Sequence, residues 1–294
     1  MKNVILIFCL FFSSLMAQTP ILKDSTVNQE NNIMKQLVGN LFAAKKDSIK
    51  KDYNQQLLTA FENELAKPNS FSNKFDSLRK NIQVLYSPDN KFKIINWYVV
   101  KEDKTFEHYG FIQSKHLVVT KINLFKKKRT ETVQVYPLID KSNEIKNPEN
   151  TVSDNKKWFG MLYYKIIIKK TKSKTYYTLF GLDENDRYSI KKIIDVLTFD
   201  NNGTPRFGAD IFVMDKKYPK RVIFEYSSNC TMSLRYNVIK DSIVFDHLAP
   251  TQPQLVGQYQ YYCTDMSYDG FGFKNGKWNY GTDLNVVNEK EEND

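Results

Sequence analysis

The apolar residues of this chain change their period once, near Tyr86, and that change restricts the fold more than any other feature. Before it, Ile33, Leu37, Leu41 and Phe42 form one stripe, and Ile49, Tyr53, Leu57, Phe61 and Leu65 recur at steps of four. Such spacing lines one face of a helix, so residues 18–85 are expected to be a helical segment with a break near Ala44. Pro68-Asn69-Ser70 should end the second helix, and Ser70 can cap a short third one carrying Phe71, Phe75 and Leu78. Residues 18–32 are polar and are expected to be loose. The stripes should pack on the following domain or on each other.

From Tyr86 the period is two. Strands are expected at Lys91–Val100, Phe106–Gln113, His116–Ile122, Thr130–Tyr136, Phe159–Ile168 and Thr175–Leu182. Further candidates are Ile193–Phe199, Arg221–Tyr226, Thr231–Tyr236, Ser242–Phe245, Gln258–Tyr262 and Gly270–Tyr280. Turn residues separate them: Lys170–Lys174, Asp200-Asn201-Asn202-Gly203, and Asn275-Gly276 between aromatic strands, the strongest short-range hairpin signal. Many short strands with few helical patterns among them predict a mainly β fold, a large antiparallel β domain over residues 86–287 after the helical segment. Propeller-like, curled-sheet and sandwich arrangements all fit this pattern. The polar stretch Ser142–Lys157, which contains Pro148, reads as a long exposed loop or an internal boundary, and residues 288–294 as an acidic tail.

Lys2 followed by an unbroken apolar run from Val4 to Phe12, then Leu15-Met16-Ala17, has the layout of a secretory signal peptide over residues 1–17, cleaved before Gln18. Cys9 lies inside the apolar run without small residues before it, which favours release over lipid anchoring. No later segment is long and apolar enough to span a bilayer; Trp158–Ile168 is short and interrupted by Lys165. An exported, periplasmic or secreted protein is therefore expected. Its formal net charge of +10 then suits anionic envelope polymers or lipid head groups rather than nucleic acid, or simply keeps a β-rich protein soluble. The basic run Lys126–Arg129 reads as a solvated hairpin tip, with contact to an anionic polymer as the sharper alternative.

After Cys9, the remaining cysteines are Cys230 and Cys263. Alternation puts Cys230 with Met232 and Leu234, and Cys263 with Tyr259 and Tyr261, so both point to apolar faces. In an oxidising compartment that pattern favours a disulfide between them, two buried thiols being the alternative.

The chemistry-bearing residues are sparse. His108, His116 and His247 are the three histidines, and they fit no HExxH spacing; no CxxC, Walker loop, Rossmann glycine pattern or GxSxG elbow is present. No metal and no organic cofactor is therefore expected. His247 alternates onto the face of Ile243 and Phe245, as a core histidine would. Asp195, inside the apolar run IIDVLTF, needs a cation or a hydrogen-bond donor if buried, with a lysine the expected partner. Two acidic turns remain as candidate binding sites at a sheet rim. LDENDRYS supplies Asp183 and Asp186 but lacks the glycine and final glutamate of a calcium loop. TDMSYDG supplies Asp265, Tyr268 and Asp269.

Two resemblances add to this. Ser87-Pro88-Asp89-Asn90-Lys91, leading to Trp97, resembles the start of the strand repeat in TolB-like β-propellers, although no second copy follows at a fixed period. More broadly, YSPDNKFKIINW, residues 158–208 and YDGFGFKNGKW look like a group of exported Bacteroidota proteins to which no activity is attached. That resemblance implies a compartment and not a reaction. Asp-Ser at Asp24, Asp47, Asp76 and Asp241 is similar to the O-glycosylation sequon of those bacteria, with Ser25, Ser48, Ser77 and Ser242 as acceptors. The expected role is non-catalytic binding or assembly, with an anionic envelope polymer, a glycan or an envelope protein as partner. The alternative is a hydrolase of glycans or peptides using Asp183, Asp195 or Asp269.

Overall fold

The computed structural model describes residues 23–122, 127–214 and 216–282. The signal-like residues 1–17, Lys126 and the acidic tail lie outside the described residues. Two helices open the described chain, α1 (Lys23–Ala43) and α2 (Asp47–Leu65), with the break where Ala44 falls. Helix α1 begins inside the stretch expected to be loose. The expected third helix is two separate turns of 3-10 helix, Ser70–Ser72 and Asp76–Leu78, because Asn69 and Phe75 take positive φ and stop an α-helix from propagating.

Strands β1 (Gln83–Tyr86), β2 (Phe92–Val100), β3 (Phe106–Lys121) and β4 (Lys127–Ile139) form an antiparallel meander in that order. Strand β3 runs unbroken through the two segments that alternation had separated at Ser114-Lys115. A second sheet holds β5 (Ser153–Asp154), β6 (Leu162–Lys170), β7 (Thr175–Asp183), β8 (Ser189–Phe199), β9 (Pro205–Phe207) and β11 (Val222–Ser227). Strand β8 pairs with β7 along one edge and shares the other between β11 and β9. The third sheet is ordered β10 (Phe212–Val213), β15 (Lys277–Gly281), β14 (Tyr262–Lys274), β13 (Ser242–Pro250), β12 (Leu234–Asn237). It is antiparallel except where β10 runs parallel to β15. Asn275 and Gly276, at φ 54° and 79°, make the tight turn between β14 and β15 that the Asn-Gly pair predicts.

These elements stack in four layers: helices, then the three sheets. Leu57, Phe61 and Leu65 of α2 pack with Ile95, Trp97 and Phe111 on one face of the first sheet. Phe92, Ile94 and Ile112 on its other face meet Tyr177, Leu179, Ile193 and Leu197 of the second sheet. Phe180, Ile194 and Val196, pointing the opposite way, meet Ile243, Phe245, Phe271 and Trp278 of the third. Strands β2 and β8 are thus covered on both faces. Burial along them is accordingly near-continuous rather than alternating, as in strands between two packed layers. The fold is mainly β, antiparallel and not closed into a barrel.

Burial on both faces forces polar residues inside these strands to find fixed partners. Lys93 is fully buried, and its ammonium donates to the carbonyls of Ser70, Phe71 and Asn73 at 2.9–3.1 Å, locking the chain after α2 onto β2. The rings of Phe71, Phe75 and Tyr86 surround it at 4.9–5.7 Å. Asn96 donates to the Met161 carbonyl across the first two sheets at 2.8 Å. Asp195 is also fully buried, and its partner is Arg221, whose Nη2 lies 3.0 Å from Oδ2, rather than one of the abundant lysines. Arg221 also donates to the Pro148 carbonyl at 2.6 Å and stacks over Phe159. That contact pins residues 142–157 to the core. This stretch is not a loose loop: it carries short 3-10 turns and strand β5, and it buries Ile145, Ser153 and Asn155.

Cys230 and Cys263 form a disulfide with Cα atoms 5.7 Å apart. The expected strand Gln258–Tyr262 is instead a 3-10 turn, Tyr259–Tyr261, with two exposed tyrosines. Among the described residues no helix is long and apolar enough to cross a membrane. The disulfide is compatible with an exported protein.

Candidate binding site

The two acidic turns proposed from sequence lie on different sheets, Asp183 and Asp186 on the second, and Asp265, Tyr268 and Asp269 on the third. In the first turn, Asp186 Oδ1 accepts from the amides of Tyr188 and Ser189, at 2.7 and 3.0 Å, so its work is to shape the β7–β8 turn. Asp183 accepts from the Asn185 amide and lies 3.7 Å from His108 Nε2. His108 is buried on β3, and its Nδ1 is 3.3 Å from Asp140. Asp140 in turn accepts from the His108 amide and from both the amide and hydroxyl of Ser142. Burial pushes the Asp140 carboxyl up, but its bonds to His108 and Ser142 outweigh this and hold it below the ordinary value. The two carboxylates approach opposite nitrogens of one imidazole, so they cannot converge on a common ion. The cluster ties the first sheet to the second.

The second turn is not a turn. Residues Asp265–Asp269 lie within β14, where the register slips opposite His247 and Met266 takes a positive φ of 72°. This bulge carries His247 to the edge of the apolar face, where its side chain is 40% exposed, so it is not the core histidine that alternation predicts. Its Nδ1 sits 2.7 Å from Asp269 Oδ2, and the Tyr280 hydroxyl donates to the same oxygen at 2.6 Å. Asp265 accepts from Ser267, and those bonds hold its carboxyl below the ordinary value. Tyr268 is half-buried, with Arg235 5.9 Å from its ring.

Another arrangement able to receive a ligand contains none of these residues. A cavity of about 340 Å³ opens between the ends of the first two sheets, large enough for a small molecule or one or two sugar rings. Behind it stands an aromatic triad in which Phe92 and Tyr177 are buried and Phe199 is half-exposed. Phe92 meets Tyr177 edge-on at 4.7 Å and Phe199 at 5.3 Å. The Tyr177 hydroxyl is fixed by donation to Asp89 at 2.9 Å, and burial together with that carboxylate pushes its pKa up. One wall is β3 at the point where it outruns β2. There Ser114 and His116, two residues apart on a strand and therefore on one face, share a hydrogen bond of 2.8 Å. The opposite wall is the β8–β9 turn. Gly203, at φ 81°, lies so close to the imidazole that an added Cβ would come within 2.4 Å of His116 Cε1.

Three lysines ring the opening: Lys91, Lys115 and Lys174. Lys91 lies 3.7 Å from Asp89 and Lys115 3.2 Å from Glu131, while Lys174 Nζ sits over the Tyr176 ring. Lys91 and Glu131 face solvent, so each pair contributes only about 0–1 kcal/mol and the two ammonium groups can turn to an entering anion at little cost. Ser114 and His116 form a nucleophile–base geometry, but among the described residues no carboxylate orients the imidazole. The site as built can recognise an anionic group beside an apolar ring face. Sequence spacing could have paired Ser114 with His116. Nothing local connects them to Lys174, Phe199 or Gly203, which arrive from two other turns.

Among the described residues, no group of three or more histidine, cysteine or acidic side chains is placed to hold a metal ion. The geometry defines the class of protein this is: a helix-backed stack of three sheets with a basic-rimmed aromatic pocket between the first two. No known protein family, curated protein or solved structure matches the chain.

Proposed function

We propose that this is an exported envelope protein whose role is binding rather than catalysis, and that the pocket between the first two sheets holds an acidic glycan segment. The observation that carries the reading is the lysine ring beside the half-exposed Phe199 ring. A sugar ring would lie against the exposed part of Phe199, and a uronate or phosphate at the mouth would sit among Lys91, Lys115 and Lys174. The acids considered for hydrolysis are each engaged elsewhere: Asp195 with Arg221, Asp183 beside His108, Asp269 with His247 and Tyr280. This supports binding over bond cleavage. Export rests on the apolar run Val4–Phe12 and agrees with the disulfide.

Calorimetric titration with acidic and neutral oligosaccharides of equal length tests the ligand. Acidic chains should bind, neutral ones should not, and Lys91→Gln with Lys174→Gln should weaken binding about tenfold or more. Equal affinity for both kinds of chain, or no response to the double substitution, would remove the proposal. The mass of the protein recovered from outside the cytoplasm tests export, which predicts a first residue of Gln18.

A further inference from the structure

We infer that the stretch of the β3–β4 ribbon that outruns β2 docks onto an anionic lipid bilayer. Strand β2 stops pairing with β3 at Ser114, and its last contact is the Lys115 amide to the Lys91 carbonyl at 2.8 Å. The β3–β4 ladder nevertheless continues from His116↔Thr132 to Lys121↔Lys127, and among the described residues no third strand lies beside it. A two-stranded ribbon in water is marginal on its own account, because half its backbone groups and both its faces remain solvated. Here its length is held by the anchored half of the same hairpin.

What the ribbon presents is unusual for a solvated arm. Leu117, Val118 and Ile122 are 61%, 46% and 56% exposed. By strand alternation and pairing, Leu117 shares one face of the ribbon with Lys127 and Arg129 and Val118 shares the other with Lys128, so each face presents an aliphatic beside cations. Around them stand Lys121, Lys127, Lys128 and Arg129, all exposed. The only acid on the described free ribbon is Glu131, and it is paired with Lys115. Exposed aliphatics interleaved with cations match the chemistry of a bilayer interface. Aliphatic side chains enter the acyl boundary while ammonium and guanidinium groups meet lipid phosphates. An acidic polymer would satisfy the cations but leave the aliphatics in water, so the lipid surface accounts for both. The proposal is independent of the pocket, which uses Lys91, Lys115 and Lys174.

Co-sedimentation of the purified protein with vesicles is the test. Binding should be strong to vesicles containing about a third phosphatidylglycerol, weak to pure phosphatidylcholine, and reduced by added salt. Neutralising Lys127, Lys128 and Arg129 together to glutamine should weaken binding about a hundredfold, at about fivefold per charge. Leu117→Ser with Val118→Ser should weaken it as well while leaving the salt dependence in place. Unchanged urea midpoints would show that these exposed substitutions leave the fold intact. Equal binding to both vesicle types, or indifference to either set of substitutions, overturns the proposal. So does binding to an anionic polysaccharide that responds to the charge variants without any vesicle binding. Lys91→Gln with Lys174→Gln should leave vesicle binding unchanged, which separates failure here from failure of the glycan reading.

Discussion

Replacing Arg221 by methionine should destabilise the protein by about 3–5 kcal/mol, a large share of the stability a single folded unit possesses. Asp195 and Arg221 are both inaccessible to solvent, and Oδ2 of the aspartate faces the guanidinium at 3.0 Å. The substitution leaves Oδ1 its bond from the Val196 amide but strips Oδ2 of its counter-charge, and it removes the donor to the Pro148 carbonyl. Asp195 can respond by taking up a proton. Burial already pushes its carboxyl above the ordinary value, with Arg221 and the Val196 and Gly208 amides opposing, and loss of the arginine removes the main opposition. The sign follows from linkage. With the folded pKa raised, the contribution is fully present below the unfolded pKa and is lost as pH rises through the folded one. The deficit of Arg221→Met should therefore shrink on acidification. Asp195→Leu combined with Arg221→Met should recover about half of the loss, leaving about 1–3 kcal/mol for the unpartnered Pro148 carbonyl. Urea unfolding read by tryptophan fluorescence suits this measurement, because Trp97, Trp158 and Trp278 are fully buried, one in each of the three cores. The reasoning fails if either single substitution costs under about 1 kcal/mol, or if the double substitution costs the sum of the two singles.

Three further outcomes are expected. Reduction of the Cys230–Cys263 bond, which spans 33 residues, should lower stability by about 3–4 kcal/mol; a urea midpoint unmoved by dithiothreitol would contradict this. Burial lowers the Lys93 pKa to about 7 against an ordinary 10.5, with Glu64 opposing. The unfolded chain therefore binds the proton more tightly, and wild-type stability should rise relative to Lys93→Met between pH 7 and pH 10.5, which parallel pH–stability curves would rule out. Gly160→Ala would drive a methyl to 2.2 Å from Asp140 Oδ2, which is already bonded to the His108 amide; a cost of about 1–3 kcal/mol is expected, and a thermal midpoint within a degree of wild type would count against it.

The parts of the fold that sequence could reach are those decided locally. The α2 stripe Leu57, Phe61, Leu65 is buried as its spacing requires, and the Asn275-Gly276 turn needs only two positive φ values. Parity set Cys230 with Met232 and Leu234, which the core bears out, whereas the Tyr259 and Tyr261 it set beside Cys263 lie exposed on a 3-10 turn. The short strands β1, β5, β9 and β10 left no mark because two to four residues cannot display a period. They exist because a neighbouring strand offers an unpaired edge. Asp195 could be recognised as a residue in need of a partner. Its partner is 26 positions away on the neighbouring segment, so only the packed second sheet identifies it as Arg221.

The candidate sites show the same limit more sharply. Alternation is a parity rule, and one slip in register resets every residue after it. The bulge opposite His247 does this, turning a histidine assigned to the core into an edge residue held by Asp269. Asp183, Asp186, Asp265 and Asp269 drew attention because acids clustered in sequence look like chemistry. In the folded chain their oxygens are occupied by turn amides, hydroxyls or histidines. The pocket is built the opposite way. Its aromatic triad reads as ordinary core, its lysines as ordinary turn residues, and its Ser114–His116 pair as ordinary strand. Each is unremarkable until the β6–β7 turn, the β8–β9 turn and the overhanging part of β3 meet at one place. A site assembled from turns of two different sheets is specified by how those sheets stack. That stacking is governed by the apolar faces between them, far from the residues that would touch a ligand.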